Sequence, residues 1–245
     1  DARRYRRYRS DLTLDVRDVE VTLRRLRTLV REGHRDELDL QGTLDASARA
    51  FGDLEIVLRA RRRSGVRVLL LMDVGGSMEP HVRLCSQLFS AARRSSSLRE
   101  LRTYYFHNVV YGKVFTSDGA MTPVDVTELL GAVNRRWKLV LLGDAQMAPG
   151  ELLSVGPFGS PLERPGGGPM RGFDWLVHLA EQFDRTAWLN PDPPSYWVGG
   201  TVEVISQVFR MYQLSLDGLT RAFTHLASDA PEPRLEFRGN PRNAL

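Results

Sequence analysis

The chain has 245 residues, of which 42% are hydrophobic, so it can bury a sizeable core as one doubly wound domain with an extension. Its net charge is +4, and its single cysteine, Cys85, permits no internal disulfide and no thiolate metal cluster. No apolar stretch approaches the roughly 20 residues needed to cross a bilayer, and the N-terminus lacks the apolar core of a secretory signal. We therefore expect a globular, soluble and cytoplasmic protein.

Residues 1–14 are predicted to be a basic arm, in which the five arginines of DARRYRRYRS interleave with two tyrosines. Such a run is most often a solvated arm or a docking tail for an acidic partner. Arginine beside aromatic residues can also bind nucleic-acid phosphates and stack on bases, but no recognised nucleic-acid module frames these residues. We favour the interaction arm and keep nucleic-acid binding as the alternative.

Residues 15–64 are predicted to form an N-terminal helical extension. Apolar residues recur at helical spacing between Val16 and Glu32, with arginines between them, which is typical of an amphipathic helix. A short strand near Glu37 to Leu40, a helix from Thr43 to Phe51 and an alternating strand from Leu54 to Leu58 are expected to follow.

A continuous apolar run, VRVLLLM at residues 66–72, has the length and composition of a strand that is buried on both faces. It leads into the glycine-containing loop DVGGSM at residues 73–78 and then into HVRLCSQLFSAARR, whose apolar residues have helical spacing. A strand, a tight loop and a helix in this order predict a doubly wound unit, in which ligands bind beyond the carboxyl end of the strand.

Strands and helices continue to alternate up to residue 228. The strands at 103–107 and 109–115 are expected to be adjacent, and antiparallel at the sheet edge. Further strands are predicted at 139–142, 186–189 and 212–214, with helices near 173–183, 202–209 and 216–226. This alternation predicts an α/β domain at 65–228 with a mostly parallel, doubly wound sheet and helices on both faces, followed by a C-terminal tail at 229–245.

Two aspartates that follow predicted strands provide the chemistry of a metal site. Asp73 opens the loop DVGGSM, Ser77 lies four positions later, and Asp144 follows the strand at 139–142. Carboxylate and hydroxyl oxygens suit a hard divalent cation such as Mg²⁺, which keeps several of its waters. Because strand ends on one sheet edge face adjacent crevices, we expect Asp73, Ser77 and Asp144 to converge. The alternative is that they only cap helices or satisfy loop amides.

The loop DVGGSM resembles the metal-ion-dependent adhesion site of von Willebrand factor A (VWA) domains, written D-x-S-x-S, with Gly75 in place of the first serine. The segments DELDLQGTLDASAR, LLMDVGGSMEPHVRLCSQLFSAAR, YYFHN, LVLLGDAQMAP, AWLNPDPPSYW and YQLSLDGLTRA, taken in this order, resemble the bacterial CoxE-like VWA proteins from about Asp15 to about Ala227. The resemblance implies a VWA fold that holds Mg²⁺, or else Mn²⁺ or Ca²⁺, through Asp73, Ser77, a threonine of the second loop and Asp144.

The second-loop threonine has two candidates, Thr122 and Thr127. Thr122 is followed by Pro123 and, three positions on, by Asp125, which is typical of a helix start. We select Thr122 as the ligand that the resemblance implies, although the same pattern also predicts an ordinary helix cap.

Four residues around the loop carry further expectations. Gly75 removes a hydroxyl that water would have to replace, so we expect a weaker site, which Gly75→Ser tightens unless Gly75 has a positive φ. Asp73 is expected to be a hydrated loop carboxylate, so that Asp73→Ala removes metal-dependent binding without unfolding the protein. His81 is expected at the surface or behind the ligands, and Asn108 either lines the site or is a loop residue with satisfied hydrogen bonds.

The resemblance implies a non-enzymatic, metal-dependent interaction module, in which an Asp or Glu carboxylate of a client protein fills an open position on the ion. CoxE-like proteins are typically paired with MoxR-type AAA+ ATPases, which implies an adaptor role in protein remodelling or metalloenzyme maturation. A metal-dependent hydrolase is the alternative from another class, but no convincing general base accompanies the loop. The sequence has neither a G-x-S-x-G elbow nor a Walker-type loop.

Overall fold

The computed structural model of the protein describes residues 35–51, 53–60, 66–81, 83–85, 87–88, 90, 98–116, 122–157, 159, 162–163 and 167–228. The predicted basic arm at 1–14, the amphipathic helix at 16–32 and the C-terminal tail at 229–245 lie outside these residues.

The described part of the N-terminal extension combines strands with a helix. Strand β1 (Arg35–Leu38) pairs antiparallel with β2 (Leu58–Ala60), and helix α1 (Leu40–Arg49) lies between them in sequence. Asp39 caps α1, because its Oδ1 accepts a hydrogen bond of 3.0 Å from the backbone N–H of Gly42. The helix was predicted close to this position, whereas the strand predicted at 54–58 was wrong except at Leu58. Residues 54–57 alternate in the sequence but pair with no strand in the part of the chain that the structure describes.

Among the described residues, the main sheet has seven strands: β3 (Val66–Asp73), β4 (Leu98–Phe106), β5 (Lys113–Phe115), β6 (Pro123–Asp125), β7 (Lys138–Leu142), β8 (Arg185–Asn190) and β9 (Met211–Gln213). Their order is β6-β5-β4-β3-β7-β8-β9. The five strands from β4 to β9 in this order are parallel, and β5 is antiparallel to both β4 and β6. The predicted mostly parallel sheet with an antiparallel edge is confirmed.

Helices cover both faces of this sheet. Their bounds are α2 (Val126–Gly131), α3 (Pro149–Leu153), α4 (Gly172–Gln182), α5 (Gly200–Ser206) and α6 (Leu216–Ala227). Leu69 and Leu71 of β3 belong to a core with Trp175 of α4, whereas Leu70 and Met72 point to the other face and a core that includes residues of α6. This alternation along β3 explains why the strand is apolar throughout, and it confirms the doubly wound architecture. None of the helices in the described ranges is long and apolar enough to cross a membrane.

The edge of the sheet differs from the sequence-based expectation. Of the strand predicted at 109–115, only Lys113–Phe115 is a strand. Val109 and Val110 are apolar because they are buried in a loop, and they do not belong to a strand of the sheet. The helix start predicted at Thr122 and Pro123 is wrong, since Pro123 opens the edge strand β6 and α2 begins at Val126. Proline cannot donate to a ladder, and the first position of an edge strand tolerates it.

The order of strands creates a crevice at the carboxyl end of β3. The chain places β4, β5 and β6 on one side of β3 and then crosses to β7 on the other side. Ligands of open α/β sheets bind at such a reversal of strand order, beyond the carboxyl ends of the strands. The loops that follow β3 and β7 flank this crevice.

Candidate metal centre

Asp73 and Asp144 lie at the same edge of the sheet on neighbouring strands. Asp73 is the last residue of β3, and Asp144 is the second residue after β7, whose Leu142 pairs with Met72. Their side chains are close enough for the negative charge of Asp144 to act on Asp73. The sequence separates these residues by about seventy positions, and the fold brings them to one crevice, as the strand-end argument predicted.

Asp73 is a buried residue rather than a hydrated loop residue. It is 5% exposed, and its Oδ1 accepts hydrogen bonds from the backbone N–H groups of Gly75 at 2.8 Å and Asn108 at 2.9 Å. No described residue donates a hydrogen bond to its Oδ2. The premise that Asp73 is a hydrated loop carboxylate is therefore wrong. Because the carboxylate holds two loops together, the reason for expecting Asp73→Ala to leave the fold untouched no longer applies.

Gly143 allows the loop after β7 to approach Asp73. A Cβ added to Gly143 would lie 2.9 Å from Asp73 Cβ, which is closer than real Cβ atoms come to other carbons. The backbone on either side is tied to β8, since Gly143 N–H donates to Leu189 O at 3.1 Å and Trp188 Nε1 donates to Gly143 O at 2.7 Å. A side chain at this position would push the two aspartates apart.

The surroundings of Asp73 make its ionised form costly. Burial raises the pKa of Asp73 to about 6, the two loop amides act in the opposite direction, and the negative charges of Asp144 and Glu151 raise it further. Within the described residues, neither Asp73 nor Asp144 forms an ion pair with a lysine, arginine or histidine. The crevice therefore concentrates negative charge that no described side chain neutralises.

Asp144 is fixed by three neighbouring segments. It is 3% exposed, its Oδ1 accepts from Gln146 N–H at 2.9 Å, and its carbonyl accepts from Asn190 Nδ2 at 2.8 Å. The next residue, Ala145, has a left-handed φ of 60°, which is unusual without glycine. Thr201 Oγ1 holds this turn by donating to Ala145 O at 2.8 Å. Such support from β8 and α5 keeps the carboxylate at the crevice.

Ser77 lies in the same loop as Asp73, within the 3₁₀ turn Gly76–His81. Its side chain is exposed, and its hydroxyl makes no hydrogen bond to a described residue. The turn is closed by Met78 N–H, which donates to Gly75 O at 2.9 Å. Ser77 is thus presented to solvent with a hydroxyl available to a ligand.

The two candidate threonines of the second loop flank the edge strand β6. Thr122 precedes β6, which is separated from β3 by β4 and β5, so the axes of β6 and β3 are three spacings of about 4.8 Å, roughly 14 Å, apart. Oxygens that share one Mg²⁺ at about 2.1 Å each lie only about 4 Å apart or less. Thr127, the other candidate, is an exposed residue of α2 beyond β6. The assignment of Thr122 as a ligand, with Thr127 as the other candidate, stays a prediction.

Asn108 and Glu151 border the site, and neither was selected as a ligand from the sequence. Asn108 Nδ2 donates to Glu151 Oε1 at 2.9 Å, and Glu151 Oε2 accepts from Ala148 N–H at 2.8 Å. From the sequence, Asn108 was expected either to line the site or to be an ordinary loop residue. Glu151 showed only the pattern of a glutamate near a helix start, two residues after Pro149. Both face the site because loops that are distant in sequence meet there.

His81 links the loop after β3 to the segment after β8. It is 6% exposed, which excludes the surface position, and its Nε2 lies 3.4 Å from Asp192 Oδ1. Gln146 Nε2 donates to Asp192 Oδ2 at 3.0 Å, and Asp192 N–H donates to Asn190 Oδ1 at 2.9 Å. This network supports the aspartate-bearing loops from behind.

The donor set suits a hard divalent cation more than a zinc-type ion. No group of three His, Cys, Asp or Glu side chains in the described ranges is placed to hold a metal, so an ion here would depend on two carboxylates together with neutral oxygens and water. The lone thiol, Cys85, is buried, and burial first of all raises its pKa to about 12. The residues present would fit Mg²⁺, and Asp73 and Asp144 would supply the charged oxygens.

The comparison with known families covers the part of the chain that carries both aspartates. A family model described as "VWA domain containing CoxE-like protein" matches residues 12–148, which is more than half of the chain and includes both aspartate-bearing loops. Neither a characterised protein nor a solved structure has significant similarity to the sequence.

Proposed function

The chain belongs to the CoxE-like family of proteins with a VWA domain, and from this premise we propose that it is a metal-ion-dependent protein-interaction module. Asp73 and Asp144 would hold Mg²⁺, with Mn²⁺ or Ca²⁺ as the other candidates, and Ser77 and water would complete the coordination. The observation that carries the proposal is the pair of buried carboxylates at the crevice, which no described cationic side chain neutralises.

A bound cation would relieve the electrostatic cost of this pair. Two carboxylates in a poorly hydrated crevice repel one another, and a divalent ion between them replaces that repulsion by attraction. Mg²⁺ keeps several waters when few protein ligands bind it, so one position stays exchangeable. An Asp or Glu carboxylate of a client protein can take that position, and this gives recognition without turnover.

Interaction is favoured over hydrolysis by the state of the remaining carboxylate. A hydrolase would need a general base within hydrogen-bond reach of a metal-activated water. Glu151 is the other carboxylate whose charge acts on Asp73, and both of its oxygens already accept hydrogen bonds, from Asn108 and Ala148. These hydrogen bonds favour a positioning role for Glu151 over the role of a general base, and the function we propose for the site is binding.

Membership of the family supports a proposal for the partner. We propose that the chain works with a MoxR-type AAA+ ATPase as an adaptor, in protein remodelling or metalloenzyme maturation, and that the client offers the carboxylate. The ATPase would supply the work of remodelling, and the ion site would supply the recognition.

A pull-down from native cells tests this proposal. The wild-type chain is compared in Mg²⁺ and in chelator, together with Asp144→Asn and the control Asp125→Asn, which makes the same change on the exposed edge of the sheet. We expect an AAA+ ATPase or its client to be recovered by wild type and Asp125→Asn in Mg²⁺, and lost with chelator or Asp144→Asn. Recovery of the partner that is unchanged by chelator and by Asp144→Asn would refute a metal-dependent module. Turnover of phosphoesters that depends on Asp144 would favour the hydrolase.

A further inference from the structure

Gly75 is a glycine because another side chain occupies the space beside it. A Cβ added to Gly75 would overlap Asn108 Oδ1 and would lie 3.1 Å from both Asn108 Cγ and Asp73 Oδ1. The φ of Gly75 is not in the left-handed region, so its backbone does not require glycine. The positive φ that would have opposed Gly75→Ser is therefore absent. The side chain of Asn108 is what opposes this substitution.

The hydrogen bonds of Asn108 fix which end of its amide faces Gly75. Nδ2 donates to Glu151 Oε1 at 2.9 Å, and an ionised carboxylate can only accept hydrogen bonds. The amide therefore has its nitrogen towards Glu151 and its oxygen towards Gly75 and Asp73. Glu151 acts as a positioning residue, because it holds this orientation.

The backbone of Asn108 is anchored to the same aspartate. Its N–H donates to Asp73 Oδ1 at 2.9 Å, and its φ of 54° is left-handed, a conformation that asparagine adopts more readily than most other residues. The loop after β4 therefore delivers an amide oxygen to the position where the first serine of D-x-S-x-S would begin its side chain.

We propose that Asn108 Oδ1 takes the ligand role of the missing serine, so that Gly75 and Asn108 form one exchange pair. This inference rests on the proposed metal-dependent function. Amide and hydroxyl oxygens are both neutral donors that hard cations accept, so the exchange keeps the charge of the site unchanged. It also reverses the expectation from the sequence that Gly75 leaves the site with one ligand fewer and that Gly75→Ser tightens binding.

The pair is tested by a double-mutant cycle read by calorimetric Mg²⁺ titration. Asn108→Gly removes the side-chain amide and tolerates the left-handed φ. We expect its Mg²⁺ affinity to fall by at least about tenfold, which is the smallest loss typical when a residue that supports a metal ligand is removed. Gly75→Ser alone should also weaken binding, because the serine and Asn108 overlap. The double variant Gly75→Ser/Asn108→Gly restores D-x-S-x-S and should bind within about threefold of wild type, which is a coupling that independent sites would not give.

A second readout separates ligation from support of the fold. Thermal melting with and without Mg²⁺ should give Asn108→Gly a smaller Mg²⁺-induced rise in Tm, whereas a purely structural residue would lower Tm equally in both conditions. Folded Asn108→Gly that binds Mg²⁺ as wild type does would overturn the inference, and so would loss of the fold in both Asn108→Gly and the double variant, since it would assign Asn108 a structural role.

The failure of this inference can be told apart from failure of the proposed function. If wild type itself binds no Mg²⁺ and gains no Tm from it, the proposed function fails and the exchange pair fails with it. If Asp73→Asn loses binding while Asn108→Gly keeps it, the metal site stands and only the role of Asn108 is refuted.

Discussion

The aspartates predicted as ligands follow central strands of the main sheet, whereas the candidate threonines lie beside its edge strand β6. The two regions differ in how firmly the core positions such residues. At the centre, the last six residues of β3 are all buried, and the strand pairs with neighbours on both sides. At the edge, β6 has three residues, only one of them partly buried, and it pairs with one neighbour. A polar residue at the end of a central strand is thus placed by the core, whereas one beside an edge strand is placed by local turns.

The clearest chemical sign of the central region is the thiol of Cys85, which is buried in a core with Val68, Leu70 and Met72 of β3. Burial raises the pKa of Cys85 to about 12 from 9.0, and the charge of Asp73 adds to this. At pH 8 the native thiolate population should be about a thousandfold lower than for an unshifted thiol, because three pKa units separate the two. We expect alkylation by iodoacetamide to be slow in the native protein, to stay slow up to pH 10, and to become fast in urea.

The control for this measurement is a free thiol of ordinary pKa under the same conditions. Rapid alkylation of native Cys85 at pH 8 would contradict the packing of this residue in the core.

Core substitutions should separate the centre from the edge by stability. Leu71 of β3 is fully buried, so Leu71→Ala is expected to lower the free energy of unfolding by about 2–5 kcal/mol. Val124 of β6 is only partly buried, so Val124→Ala is expected to cost about 1 kcal/mol. Urea denaturation monitored by circular dichroism measures both. Equal losses would mean that the edge contributes to the core as much as the centre does.

Asp73 should reveal a conflict between stability and binding. Asp73→Asn keeps an oxygen for the amides of Gly75 and Asn108 and removes a charge that burial makes costly, so the metal-free protein should be at least as stable as wild type. Asp73→Ala leaves two buried N–H groups without an acceptor, and each costs about 1–3 kcal/mol. Both variants should lose at least about a hundredfold in Mg²⁺ affinity, because a charged ligand is gone.

Chemical denaturation without metal, together with Mg²⁺ titration, measures these effects. An alanine variant as stable as the asparagine variant would show that the hydrogen bonds to Oδ1 contribute little to holding the loops.

The same contrast explains how far the sequence predicted the molecule. The apolar run at 66–72 predicted β3 to within one residue, and the crevice rule placed Asp73 and Asp144 together, because period and burial are local signals of a central strand. The roles proposed for Asn108 and Glu151 were not predictable, since they depend on a contact between residues 43 positions apart in the sequence. The helix start predicted at Thr122 and Pro123 was wrong because Pro123 is compatible with both a helix start and an edge strand.

The smallest effect is expected at the edge itself. Thr122→Val preserves the size and branching of the side chain and removes only its hydroxyl, and this residue is exposed about three strand spacings from Asp73. Mg²⁺ affinity should therefore change by less than about twofold, and stability by less than about 0.5 kcal/mol, as for ordinary surface substitutions. Calorimetric titration of Thr122→Val beside Ser77→Ala gives the sharpest form of the comparison, because both variants remove an exposed hydroxyl but only Ser77 shares a loop with Asp73. A loss of affinity in Thr122→Val equal to that in Ser77→Ala would mean that the second loop moves to the ion when metal binds, and that the edge of the sheet belongs to the site after all.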